Sequence, residues 1–321
     1  MAAAAIGERR LADYFTVPWF IEIFTVLVLP FFVWVLYHSI QAARNSVARP
    51  IQYLISKIVD DRRRFQNAAI LLLCFAIVNR SYRALKVAIP RLNQYYADTI
   101  YAEWDRFIFG VDPWRITHEF IGPAGTTFID SAYFIWFKVI HVTFALAAFS
   151  RDEKFQLQSC FTYFLIWMLL GNVLAIYMSA AGPCYYEHFY GSDRFAPLFA
   201  KLSEMNLAAP ILQGYLLDLV GDESIGSGIS AMPSLHCALT MFIVLLAYRK
   251  FGFGWQFATA LAYHIVILIG SVHLGWHYAV DGLLSTILVP PIWWSVEKVL
   301  FGFDANRRSN PDGPRLASEP L

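Results

Sequence analysis

The chain has 321 residues, of which 58% are hydrophobic and only 15% are charged. Soluble domains carry about 25% charged residues, so this composition excludes an ordinary soluble protein and is typical of one that crosses a membrane several times. The formal net charge is +1, which gives the chain no overall basic character for binding a nucleic acid. We therefore expect an integral membrane protein without a nucleic-acid partner.

Apolar segments predict the membrane spans, because a spanning helix needs about 20 mostly apolar residues. Seven segments qualify, at 17–40, 67–89, 130–149, 158–181, 233–248, 255–272 and 278–299. The second segment is the weakest, since Arg80, Arg83 and Lys86 interrupt it. The predicted fold is all-α, a polytopic transmembrane helical bundle of six to seven spans.

The same pattern divides the chain into four regions. An extramembrane segment at 1–16 precedes N-terminal transmembrane helices and a loop at 17–129, a transmembrane core at 130–303 follows, and the tail at 304–321 has a composition that favours disorder. Two long loops, at 90–127 and 182–230, mix apolar, aromatic and charged residues. That mixture predicts interfacial helices, lying along the membrane surface.

Basic residues in the loops predict the orientation, because positively charged loops stay in the cytoplasm. With seven spans, the loops opposite the two long ones hold the larger share of Lys and Arg, including the cluster Arg62-Arg63-Arg64. The long loops then face the extracytoplasmic side of an inner or plasma membrane.

A set of reactive side chains lies at both ends of a predicted helical hairpin near the C-terminus. His236 stands near the start of one span, just after the helix-start residues Pro233 and Ser234, and the free backbone N–H groups at such a helix start attract anions. His277 and Asp281 follow the returning span and are four residues apart, so they share one helix face. Because a hairpin of this length returns to the same membrane face, we expect the three side chains to meet.

The two ends of the hairpin resemble a known pair of signatures. Pro233-Ser234-Leu235-His236 and His277-Tyr278-Ala279-Val280-Asp281 are similar to the two C-terminal motifs of the type 2 phosphatidic acid phosphatase superfamily. This variant is closest to the inositol phosphorylceramide synthase-like branch, and the segment 181–187 is similar to the small-Pro-aromatic segment of that branch.

The resemblance implies an enzyme that acts on a phospholipid or sphingolipid without a metal or other cofactor. His277 would attack phosphorus and form a phospho-histidine, Asp281 would orient it, and His236 would protonate the departing alkoxide. The implied activity is a lipid phosphotransferase, and the alternative within the same superfamily is a lipid phosphate phosphatase. Tyr186 and Glu187 would contact the headgroup, although Glu187 also fits a solvated loop acid.

Two departures from the phosphatase pattern favour the transferase. The upstream Lys-x6-Arg-Pro signature is missing, and Ser271 stands where the phosphatases have a phosphate-binding Arg. Arg80, Arg83 and Lys86, which share roughly one helix face, are candidates to replace that charge. The alternative, which the pattern favours, is a helix end whose basic side chains extend to the membrane surface.

Two further readings stay open. His236, His273, His277 and Asp281 also make up a donor set for zinc, which would suit a membrane metallohydrolase. A non-catalytic scaffold or transporter permits the same intramembrane charges, but leaves the coincidence of the two motifs unexplained.

Overall fold

A computed structural model describes residues 17–220 and 228–309, and all regular elements in these ranges are helical. In chain order they are α1 (Val17–Arg44), α2 (Pro50–Asp60), α3 (Arg62–Leu92), α4 (Asp98–Phe109), α5 (Pro113–Phe120), α6 (Pro123–Phe134), α7 (Trp136–Ala148), α8 (Glu153–Leu165), α9 (Tyr186–Tyr190), α10 (Ala196–Ser203), α11 (Ala208–Asp218), α12 (Leu235–Phe251), α13 (Trp255–His273) and α14 (Ala279–Ser309). Helix α8 continues as a π-helix, Ile166–Leu174, and a last turn, Ala175–Tyr177, while Pro183–Tyr185 forms a short 3₁₀ turn.

The all-α membrane bundle predicted from the sequence is confirmed, with fewer clear spans than the six to seven expected. Among the described residues, four helices are long and apolar enough to cross a membrane, namely Arg62–Leu92, Glu153–Tyr177, Trp255–His273 and Ala279–Gly302. Helices α6 and α7 would make a fifth span if the pair, bent by 43°, crosses as one.

The difference has physical causes in two of the predicted spans. Helix α12 has 17 residues, a length of about 26 Å, against a hydrocarbon core of about 30 Å. The predicted third span is broken by the bend between α6 and α7. The predicted first span falls in α1, where side chains 17–27 lie outside the described part of the chain.

The predicted terminal segments are only partly described. The extramembrane segment 1–16 lies outside the described residues, as does 310–321. Helix α14 continues to Ser309, so it enters the segment 304–321 for which the composition favours disorder.

The predicted hairpin near the C-terminus is present as α12 and α13, and both pack against α14. Ser234 caps the N-terminus of α12, its hydroxyl accepting the Cys237 N–H at 3.5 Å. Gly252, with φ +64°, ends α12, and Gly275, with φ +72°, turns the chain back after α13. Both glycines adopt a left-handed conformation that other residues rarely tolerate. The hairpin therefore returns the chain to the level at which it began.

Short helices cover this end of the bundle, and α4 has the two-sided character of an interfacial helix. Asp98, Tyr101 and Asp105 are buried on one face, whereas Trp104 and Phe107 are exposed on the other, Phe107 to 89%. A helix with an exposed aromatic face next to membrane spans suits the membrane–water interface.

Candidate active site

The two histidines of the sequence motifs meet at one end of the bundle. His236 lies in the first turn of α12, and His277 lies in the turn between α13 and α14. Their ring centroids are 5.8 Å apart, with the rings at 61°. Both imidazoles can therefore contact one small substrate group.

Asp281 stands behind His277 and away from solvent. Its Oδ2 atom is 3.4 Å from Nδ1 of His277, slightly longer than a hydrogen bond, and it also accepts the backbone N–H of Tyr278 at 3.2 Å. The side chain of Asp281 is fully buried, and that of His277 is 7% exposed. A buried carboxylate at this distance favours positive charge on the imidazole and fixes its orientation.

His277 lies outside the membrane-spanning helices, in a buried turn where desolvation disfavours the charged form of its imidazole. Burial and, to a smaller extent, the positive charge of Lys86 lower the pKa of His277 to about 3, while a hydrogen bond with the backbone of Ala231 acts in the opposite direction. The imidazole is therefore neutral at neutral pH, the form in which a ring nitrogen can act as a nucleophile.

Aromatic side chains that the sequence analysis did not single out hold His236 in place. The ring of Tyr133 stacks on His236 at 4.3 Å, and the ring of Trp136 lies 4.1 Å away at 34°. The indole N–H of Trp136 also donates to the backbone carbonyl of His236 at 3.2 Å. The signal in the sequence was the dense aromatic run at 133–137, at the bend between α6 and α7.

A cavity of about 530 Å³ opens in front of the two histidines, within the usual size range of small-molecule sites. Its wall includes His236, His277 and Pro233, and two cationic side chains of α3, Arg83 and Lys86. Most of the remaining wall is aromatic or aliphatic. The cavity therefore combines a reactive pair, positive charge and an apolar lining.

The other predicted binding residues lie elsewhere, since none of them is part of the cavity wall. Ser234 is fully buried beneath the helix start that it caps. Arg80 is buried, with 9% of its surface exposed. Tyr186 stacks on Tyr190 at 5.0 Å, and Glu187 is exposed. The structure thus brings Arg83 and Pro233 to the cavity and leaves these four outside it.

Two buried carboxylates of α4 bind the backbone around the site. Asp105 accepts the N–H groups of Ala279 and Val280 at 2.7 and 2.9 Å. Asp98 accepts the N–H groups of Ala181 and Gly182 at 2.8 and 2.7 Å. Burial raises the pKa of Asp105 to about 7, although the two N–H donors favour its ionised form. Neither carboxylate is part of the cavity wall. Both therefore stabilise the backbone segments around the site and do not line the cavity themselves.

Arg194 likewise ties loops together. Its guanidinium donates to Asp112 at 2.6 Å and to the carbonyl of Ala102 at 2.9 Å, and it also pairs with Glu103. Burial opposes the charge, but the two carboxylates more than offset it, so the pKa of Arg194 is raised. This charge therefore stabilises the cap of short helices.

The zinc interpretation required His273 to join the other two histidines, and it does not. Its two ring nitrogens lie 2.9 Å from the hydroxyls of Thr126 and Thr117, and its ring stacks on His118 at 3.8 Å. Among the side chains that the structure describes, no three from His, Cys, Asp or Glu form a cluster suited to a metal ion.

Comparison with known proteins gives one result. A family model described as PAP2 superfamily matches residues 114–294, a range that contains His236, His277 and Asp281. Neither the curated proteins nor the solved structures contain a significant match.

Proposed function

Because that match covers more than half of the 321 residues, the chain belongs to the PAP2 superfamily, and we propose that it is a lipid phosphotransferase. As a member, it is a membrane enzyme of the phosphatase or phosphotransferase type. The finer proposal is an activity similar to that of inositol phosphorylceramide synthases, in which a phosphate and its headgroup pass from one lipid to another.

The observation that carries the proposal is the arrangement of the two histidines on one cavity wall. His277, whose pKa is lowered by burial, is backed by a buried carboxylate, Asp281, at 3.4 Å. His236 faces it across 5.8 Å. A nucleophile, its orienting acid and a second imidazole for proton transfer are the groups that a two-step displacement at phosphorus needs.

In the first step, a ring nitrogen of His277 attacks phosphorus and the bond between phosphorus and the lipid oxygen breaks. His236, in its protonated form, gives its proton to that oxygen, and the donor leaves as a neutral alcohol such as a diacylglycerol. Asp281 stabilises the positive charge that develops on His277. In the second step, the hydroxyl of an acceptor lipid attacks phosphorus, the bond to nitrogen breaks, and His236 takes the hydroxyl proton.

Two cations on the cavity wall support a phosphate as the group that is held. Arg83 and Lys86 lie on α3 and line the cavity together with the histidines. They supply the charge that the missing phosphatase signature would otherwise provide. The start of α12 adds backbone N–H groups, an arrangement that attracts anions. Arg80 and Ser234 are not part of the cavity wall.

The apolar part of the cavity supports a lipid as the substrate. Phe134, Phe137 and Leu212 line the cavity and are also 61%, 46% and 41% exposed. They therefore form an apolar opening of the cavity toward the membrane. The acyl chains of a lipid can stay in the membrane while its phosphate extends through this opening to the histidines. We assign this end of the bundle to the extracytoplasmic side, as the basic residues of the opposite loops predict.

The assay that tests the proposal uses purified protein in detergent with EDTA. Phosphatidic acid and phosphatidylinositol are offered separately, each with and without ceramide or diacylglycerol. We expect a new phospholipid only when donor and acceptor are both present. Release of free phosphate from phosphatidic acid, whatever the acceptor, would instead make the protein a phosphatase. Silence in EDTA with recovery by added zinc would identify a metallohydrolase.

A further inference from the structure

Helix α4 lies outside the cavity, yet it makes close polar contacts with the segment 277–281, which carries His277 and Asp281. Both carboxylate oxygens of Asp105 accept backbone N–H groups at the start of α14, from Ala279 at 2.7 Å and Val280 at 2.9 Å. The first N–H groups of a helix have no partner within it. Asp105 supplies that partner from 174 residues away in the sequence, and it is only 2% exposed.

The two N–H groups belong to the residues between His277 and Asp281. Their direction therefore fixes how the first turn of α14 is rotated, and with it the 3.4 Å contact between the imidazole and the carboxylate. Asp281 also accepts the N–H of Tyr278, so the turn is compact. A shift of this turn would move both catalytic side chains, of which only His277 is part of the cavity wall, while Arg83 and Lys86 on α3 would stay in place.

A second carboxylate on the same face of α4 holds the turn at its other end. Asp98, two helical turns before Asp105, accepts the hydroxyl of Tyr278 at 2.9 Å. The same carboxylate accepts the backbone N–H groups of Ala181 and Gly182, and Ala181 is part of the cavity wall. One helix thus binds two segments that meet at the site.

We propose that α4 is a positioning element of the active site and that Asp105 is its main positioning residue. The proposal rests on the proposed function of His277 as the nucleophile. Asp105 contacts neither substrate nor reacting atoms; it acts by holding the start of α14, so that Asp281 orients the imidazole. Its loss should slow the chemical step while leaving substrate affinity nearly unchanged.

The test compares Asp105→Asn with Asp152→Asn in the full-length protein. Asn keeps the size of Asp105 and one acceptor oxygen, and replaces the other with a group that cannot accept. We expect kcat to fall by about 10- to 100-fold, since small misplacements of reacting groups cost this much, while KM stays within about 2-fold. Asp152 caps α8 far from the histidines through the N–H of Phe155, so its variant should keep wild-type kcat.

A second readout does not depend on turnover. With ¹³C-labelled histidine, the ring resonance of His277, assigned by its loss in His277→Gln, should shift in Asp105→Asn and stay in place in Asp152→Asn. A folded Asp105→Asn protein with wild-type kcat and an unshifted resonance would overturn the proposal. So would a variant in which only KM rises.

One further variant, Tyr278→Phe, and the same resonance of His277 keep the proposal testable in two less favourable cases. If Asp105→Asn does not fold, Tyr278→Phe removes only the hydroxyl bond to Asp98. We then expect a smaller fall in kcat with KM unchanged and a shifted His277 resonance, and wild-type values of both would overturn the proposal. If the wild-type protein transfers no phosphate, the proposed function fails, and the resonance still decides whether α4 positions His277.

Discussion

Replacing Asp281 with Asn tests the electrostatic half of the catalytic arrangement. Asn has the same size and keeps an oxygen for the N–H of Tyr278, which now lies 3.2 Å away. The change removes one negative charge 3.4 Å from Nδ1 of His277. With an effective dielectric constant of about 20, that charge stabilises a positive imidazole by at most about 5 kcal/mol. Since 1.4 kcal/mol corresponds to a factor of ten, we expect turnover to fall by about three orders of magnitude.

The assay for Asp281→Asn is the donor-plus-acceptor reaction in detergent, with thermal unfolding recorded on the same samples. Asp281 is fully buried, and Asn has nearly the same shape and volume, so the unfolding temperature should stay close to that of the wild type. A variant that folds normally and keeps a near wild-type rate would refute the role of Asp281 as the orienting acid.

Three further changes give separate tests. The positive charge of Lys86 lowers the pKa of His277, so Lys86→Gln should raise that pKa and move the acid limb of the kcat/KM profile to higher pH. An unmoved limb would show that Lys86 does not affect the titration of His277. Gly182→Ala places a Cβ atom 2.7 Å from a backbone carbonyl at φ +103° and should lower the free energy of unfolding by about 2 kcal/mol or more. Gly191→Ala, at φ +64° in open space, should lower it by about 1 kcal/mol. Equal unfolding temperatures of the two variants would contradict the steric argument. His273→Gln disturbs the contacts of the ring with two hydroxyls, so the protein should become less stable. The activity of the folded fraction, measured in EDTA, should stay near that of the wild type. A loss of activity that added zinc restores would instead support the metal interpretation.

The fold class and the reactive pair followed from the sequence because their signals are local. Long apolar runs predict membrane helices wherever they occur. The spacing of His236 and His277 at the ends of a hairpin predicts their convergence, since two antiparallel helices of equal length return to the same level. The i, i+4 spacing predicted the contact between His277 and Asp281, although His277 lies in the turn before α14 and not on a shared helix face.

The surroundings of the site depend on contacts between distant segments, which spacing does not reveal. Asp98 and Asp105 bind backbone groups that come after them by more than 80 residues. A trace of this was present, since two acids two helical turns apart share the face of α4 that carries buried Tyr101 and Ala102. Acids on the apolar face of an amphipathic helix indicate buried hydrogen-bond partners.

The sequence also could not predict which of the three basic residues of α3 line the cavity. Arg80, Arg83 and Lys86 share roughly one helix face, but only the last two line the cavity. Small differences in angle around a helix decide which side chain reaches a site and which is buried. Tyr186 and Glu187 were assigned to the headgroup from their place in the segment 181–187, yet neither is part of the cavity wall, which that segment reaches through Ala181 and Tyr185.

The covalent intermediate on His277 is the central claim, and mass spectrometry tests it most directly. Protein incubated briefly with phosphatidylinositol, without an acceptor, would be quenched at alkaline pH and digested. We predict a phosphate adduct carrying the headgroup on the peptide that contains His277, absent from His277→Ala protein and lost when ceramide is added before the quench. Turnover without any such adduct, or an adduct on a different residue, would contradict the account.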